Sequence, residues 1–136
     1  MKKIVQKVVV GGALLNDNKI LIVQRASDED IFPGMWELPS GKKEPMEDVN
    51  KALVREFKEE TGLDVEVGDP IGVINYSWEK EDEIRDATQI NFVVTLVGGP
   101  DVKLSSEHQN FAWITKDEIN NYEISKETKE IIRKAL

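Results

Sequence analysis

The chain has 136 residues, a length that suits one domain spanning 1–136 with room for a hydrophobic core. Hydrophobic residues make up 40% and charged residues 32%, an ordinary globular mixture, and a net charge of −8 disfavours binding to long nucleic acid. No apolar run is long enough to span a bilayer, the N-terminus lacks the pattern of a signal peptide, and the absence of cysteine excludes disulfides and thiolate metal sites, so a cytoplasmic setting is expected.

Val8 to Leu15 reads as a buried strand, with Gly11-Gly12 marking a bulge or a close approach by another group. Asn16-Asp17-Asn18 is a turn cluster, and Ile20 to Val23 a second strand that completes a hairpin. Arg25 ends that strand. It is placed either to reach a phosphate or to pair with Asp28, Glu29 or Asp30. Residues 26–35 read as loop, followed by Trp36-Glu37-Leu38-Pro39-Ser40-Gly41, in which Trp36 suits a pocket wall or the core.

The central element is a helix between Asp48 and Gly62. Asp48 is a plausible N-cap and Gly62 a residue suited to the left-handed turn after the last helical residue. Val49, Leu53 and Phe57 form an apolar stripe that docks the helix. Beside that stripe Glu56, Glu59 and Glu60 fall at i, i+3 and i+4 on one face. Three carboxylates so placed repel one another unless solvent or divalent cations sit among them.

Beyond the helix, residues 65–67 lead to a turn at Gly68-Asp69-Pro70, and Ile71 to Tyr76 reads as a strand. The charge run Glu79 to Glu83 reads as an exposed turn, and Gln89 to Val97 as a long half-buried strand ended by Gly98-Gly99-Pro100. Residues 105–109 form a polar loop before a short strand at Phe111 to Ile114; His108, the one histidine, carries no assigned role. Thr115 to Glu118 has the form of a capping box, and Ser125 caps a last helix whose inward face is Ile131, Ile132, Ala135 and Leu136. Strands around one central helix, then a terminal helix, give an α/β layer architecture with a mixed sheet.

Residues 41–63 resemble the box of the Nudix hydrolases, G-x5-E-x7-R-E-U-x-E-E-x-G-U, where U is bulky and apolar. Gly41, Glu47, Arg55, Glu56, Phe57, Glu59, Glu60, Gly62 and Leu63 match in place; Phe57 is an aromatic where an aliphatic is commoner. Nine fixed positions over 23 residues are far more specific than an isolated glycine motif, and a merely solvated acidic helix does not explain the flanking glycines or Glu47. The resemblance covers essentially the whole chain and implies a Nudix-type α/β/α sandwich with a central catalytic helix. It also implies cleavage of a nucleoside diphosphate linked to another group. By the same resemblance Glu56, Glu59 and Glu60 bind Mg²⁺ (Mn²⁺ as a substitute), joined by Glu47 and the Ser40 carbonyl. Arg55 orients a carboxylate, and the general base is Glu56 or Glu107. Here the segment before the box ends Pro-Ser-Gly where relatives commonly have Pro-Gly-Gly.

The implied partner is a small nucleotide, with Arg25 and Trp36 as candidate contacts, and neither membrane nor long nucleic acid is implied. Relatives are often homodimers. The proline found about sixteen residues beyond the box in many ADP-sugar enzymes, and the tyrosine of dinucleoside polyphosphate enzymes, are both missing. The expectation is therefore a MutT-like enzyme that converts a (deoxy)nucleoside triphosphate to the monophosphate and pyrophosphate. An ADP-ribose or nucleotide-sugar pyrophosphatase is the alternative. A non-catalytic nucleotide-binding module is a third reading, weakened by the complete set of box glutamates. The isopentenyl diphosphate isomerase of the same fold needs a cysteine that this chain lacks.

Overall fold

The computed structural model describes residues 1–136. Seven strands form one mixed sheet in the order β3-β2-β1-β6-β5, with β4 also on β1 and β7 on β2. The strands are β1 (Lys3–Asn16), β2 (Lys19–Arg25), β3 (Trp36–Glu37), β4 (Ser40–Lys42), β5 (Val65–Lys80), β6 (Glu83–Leu96) and β7 (His108–Ile114). The helices are α1 (Val49–Thr61), a 3₁₀ helix at Lys116–Asn121 and α2 (Lys126–Ala135). No helix is long and apolar enough to cross a membrane.

The long pairing of β1 with β6 is parallel, whereas β1–β2, β1–β4 and β5–β6 are antiparallel. One edge of β1 carries β6 along Lys3–Leu14. The other edge is shared: β4 pairs with Val9–Gly11 and β2 with Leu15–Asn16. The sheet forks there, and the fork places Ser40-Gly41 next to α1.

Residues Val9 to Leu14 of β1 are buried throughout because both faces of the sheet are covered. Val10, Leu14 and Leu21 pack toward α1 with Leu53 and Phe57. Ala13, Ile20 and Ile22 pack on the other side with Ile119, Ile131 and Ile132. The period of two in the strands thus feeds two cores and yields the expected α/β/α sandwich. Gly12 marks a close approach: a Cβ there would lie 2.6 Å from both the Phe57 ring and Val94.

The turn expected at Gly68-Asp69-Pro70 does not form. β5 runs on through it, with register shifts between Val67 and Pro70 and between Pro70 and Gly72. β5 is an edge strand, so the N–H that proline lacks costs no sheet bond on its open side, and bulges absorb the irregularity. The charge run at 79–83 is mostly strand; only Glu81 and Asp82 turn, with Glu81 at φ 58°. β6 accordingly starts at Glu83 rather than Gln89, and β7 at His108 rather than Phe111. The Asn16 to Asn18 hairpin forms as expected, with Asp17 and Asn18 at φ 52° and 61°.

A candidate active site at the carboxylate end of helix α1

Helix α1 has the ends its sequence specifies. The Asp48 carboxylate accepts from the Lys51 N–H at 3.1 Å, and Gly62 takes φ 74°. Ala52, Leu53 and Phe57 are fully buried, and covering a Leu or Phe side chain contributes about 1.5–3 kcal/mol each. With that stripe docked, the acids beside it are graded by depth. Glu60 is 5% exposed, the Glu56 side chain 13% and the Glu59 side chain 58%.

Each inner acid is held by a different partner. The Ser40 N–H donates to Glu60 Oε2 at 3.1 Å. The Glu56 carboxylate lies against Gly41, and a Cβ at position 41 would push that carboxylate out of its place. Arg55 spreads over the neighbouring acids. Its Nε and Nη2 form a fork on Glu47 at 2.8 and 2.9 Å, and Nη1 reaches Glu56 at 2.9 Å and Glu59 at 3.2 Å. Nη2 also donates to the Lys42 carbonyl at 3.1 Å. Both Glu47 oxygens are thereby occupied, one of them also by the Glu44 N–H at 3.0 Å.

Glu56 and Glu60 open onto a cleft of about 670 Å³. Of the sequence candidates, Arg25, Trp36, Ser40, Gly41, Glu56, Glu60 and Glu107 line it. Glu47, Arg55, Glu59 and Gly62 are not in its lining. Arg25 pairs with Glu29 at 3.6 Å, as one of its readings expected, and also with Glu37 at 3.4 Å, while its Nε donates to the Ile31 carbonyl at 2.7 Å. Trp36 is half-buried and meets Tyr122 edge-on at 4.9 Å.

Two residues without a role in the sequence reading also belong here. His108 is buried, its Nε2 lies 3.0 Å from Glu37, and its Nδ1 has no hydrogen-bond partner. Ligand atoms of Glu60, Glu107 and His108 all lie within 4.8 Å of one another. Glu37 sits two residues before Pro39, in a segment read only as a lead into the helix. The adjacency of Glu107 to the chain's one histidine was the available signal for His108.

The electrostatics follow from this crowding. Burial, then Glu37, Glu56 and Glu107, push the Glu60 carboxyl well above the usual carboxylate range, and the Ser40 amide opposes them. Burial also raises Glu56, against the pull of Arg55. Glu47 is held down at about 2 by its bonds to Arg55 and the Glu44 amide. Without a cation the inner acids are therefore a destabilised set. Hard oxygen donors gathered around a buried carboxylate, with the His108 imidazole beside them, fit a divalent metal ion.

Known proteins resemble this chain along nearly its whole length. Residues 5–135 match the family model described as the NUDIX domain. The nucleoside triphosphatase NudI of Escherichia coli O81 is 28% identical over 139 residues, covering 94% of this chain and 95% of that protein. A crystal structure of a MutT protein from Methanosarcina mazei Go1 superimposes with a TM-score of 0.80 at 26% identity, covering 96% of this chain and 92% of that one. An ADP-ribose pyrophosphatase from Streptococcus suis shares the fold with a TM-score of 0.72 at 24% identity, covering 95% and 90%.

Proposed function

The chain belongs to the Nudix family, and we propose that it hydrolyses a nucleoside triphosphate to the monophosphate and pyrophosphate with Mg²⁺, Mn²⁺ serving as a substitute. Hydrolysis of a nucleotide pyrophosphate linkage is the activity of this Nudix hydrolase. A triphosphate as the substrate is supported by the likeness to the nucleoside triphosphatase NudI along nearly the whole chain. The observation that carries the mechanism is the convergence of Glu37, Glu56, Glu60 and Glu107 on one cleft. The proposed enzyme is a single domain that acts in the cytoplasm as a homodimer.

Glu60, Glu59 and the Ser40 carbonyl would hold the cation, with Glu107 completing the set. A bound divalent cation neutralises phosphate oxygens and makes a nearby water more acidic. The chain's own residues do the rest. Glu56 is the better placed of the two candidate bases: burial raises its proton affinity and Arg55 fixes its carboxylate. It takes the proton from the attacking water as the new P–O bond forms. The phosphoanhydride bond breaks, and its electron pair leaves on pyrophosphate. Glu47 takes no direct part in this scheme; it anchors Arg55, which positions Glu56 and Glu59. Arg25, drawn into the cleft by Glu29 and Glu37, is assigned to a substrate phosphate.

The test is a substrate panel with Mg²⁺ and product identification by mass: ribo- and deoxynucleoside triphosphates, oxidised guanine nucleotides, ADP-ribose, nucleotide sugars and dinucleoside polyphosphates. Monophosphate plus pyrophosphate from a triphosphate is the expected result. Turnover of ADP-ribose or a sugar nucleotide alone would keep the chemistry and overturn the substrate. A folded protein with no turnover on any of them would favour a binding module.

A further inference from the structure

The cleft is lined by four aromatic residues as well as by acids; Trp36 packs on Tyr122, and the other three, Phe32, Tyr76 and Trp78, form one cluster. Tyr76 and Trp78 stand two apart on β5 and so share a face. Their rings stack with centroids 5.7 Å apart and an interplanar angle of 21°. Phe32 comes from the 26–35 loop and meets Tyr76 edge-on at 6.3 Å. Its backbone holds φ 48°, an unfavourable conformation for a bulky residue, yet 49% of the residue stays exposed. Core packing does not account for a strained backbone that leaves an apolar ring in the open. Such strain is concentrated where a ligand is clamped.

Beneath the rings runs a chain of hydrogen bonds with a fixed direction. The Tyr76 hydroxyl donates to Gln89 Oε1 at 3.0 Å. Gln89 Nε2 donates to Asn91 Oδ1 at 2.9 Å, and Asn91 Nδ2 donates to the Gly72 carbonyl at 3.5 Å. Asn91 is fully buried. A backbone carbonyl can only accept, so it sets the order of donor and acceptor back to Tyr76. The single hydroxyl proton of Tyr76 is committed to Gln89. What the hydroxyl has left for the cleft is a lone pair. Burial and the nearby Glu37 raise the Tyr76 pKa to about 12, which keeps the hydroxyl neutral with its proton in place.

We propose that Phe32, Tyr76 and Trp78 form the nucleobase subsite, and that the Tyr76 hydroxyl oxygen selects bases with an amino group at purine C6 or pyrimidine C4, adenine and cytosine, over their keto counterparts hypoxanthine and uracil. The inference rests on the nucleotide reading above and adds to it the chemistry that chooses the base. An amino N–H meets the free lone pair. A keto oxygen in the same place sets acceptor against acceptor and leaves both desolvated.

Calorimetry with nucleoside 5′-monophosphates and Mg²⁺ tests this without requiring turnover. CMP is expected to bind about tenfold more tightly than UMP, and AMP than IMP. Tyr76→Phe is expected to bring both ratios close to one. Phe32→Ala should weaken all four ligands by about tenfold and leave the ratios in place, because stacking does not distinguish the two edges. Equal affinities in the wild type, a preference for keto bases, ratios that survive Tyr76→Phe, or no saturable binding would each overturn the proposal. Triphosphate turnover is measured in parallel. Turnover without amino preference sinks the base assignment alone, and amino-selective binding without turnover sinks the hydrolysis reading alone.

Discussion

Arg55 uses its donors on Glu47, Glu56, Glu59 and the Lys42 carbonyl, so it acts on the reaction through the acids it holds. Lysine has the same charge but no planar fork, and it cannot grip Glu47 in two places while reaching Glu56. Arg55→Lys is therefore expected to weaken cation binding by about 10–100-fold, as loss of a partner that orients a metal ligand does. Mn²⁺ titration followed by electron paramagnetic resonance reads this directly; unchanged affinity would remove Arg55 from its positioning role. Glu60 makes a sharper test. Glu60→Gln should abolish turnover while the fold persists, because the amide keeps the shape and an acceptor for the Ser40 N–H. The same substitution should change how stability depends on pH. The folded-state pKa of Glu60 is raised above its ordinary 4.5. Its contribution to stability is thus present at pH below that value and is lost as pH rises through the raised pKa. In EDTA, the wild-type Tm should fall as pH goes from about 5 to about 8, and the Glu60→Gln Tm should fall less. Parallel curves would show that Glu60 is not the strained group. Glu47 runs the other way: its pKa of about 2 means a contribution held at neutral pH and lost only as pH falls from 4.5 toward 2.

At the scale of elements, α1 carries the site and its own sequence specifies it. The Asp48 cap, the buried residues Leu53 and Phe57, and the left-handed Gly62 are all local signals, and all three form. Asp48→Ala should cost about 1 kcal/mol in urea denaturation, since it leaves the Lys51 N–H without its partner. Turnover at a temperature where the variant stays folded should change little, because the stripe of Leu53 and Phe57 still docks the glutamates; a large loss of kcat would mean that the first turn itself sets their geometry. What the sequence could not announce depends on contacts between distant segments. β5 passes through Gly68-Asp69-Pro70 because it happens to be an edge strand, and edge position is a property of the assembled sheet. The parallel pairing of β1 with β6 joins residues some eighty apart, such as Lys3 with Glu83. The site divides in the same way. Glu56, Glu59 and Glu60 were legible from spacing along one helix. Glu37 and His108 enter it only because β3 and β7 both pair with β2, and Tyr76 because β5 lies beside Gln89 of β6.

The whole molecule has a net charge of −8, and several of its acids are gathered in one cleft. Folding therefore works against local repulsion that a divalent cation relieves. A ligand that binds only the folded form stabilises it by about 2.7 kcal/mol at ~100 times its Kd. Mg²⁺ should accordingly raise the Tm, and by more near pH 8 than near pH 5, where protonated carboxyls already reduce the repulsion. NaCl at matched ionic strength should not reproduce the effect, because screening acts mainly on exposed charges and Glu60 is buried. The decisive comparison is with Glu60→Gln. If Mg²⁺ acts at this cleft, the substitution shrinks the shift; an equal shift in both proteins would place the cation among the exposed acids elsewhere, and the cleft would lose its claim to the metal.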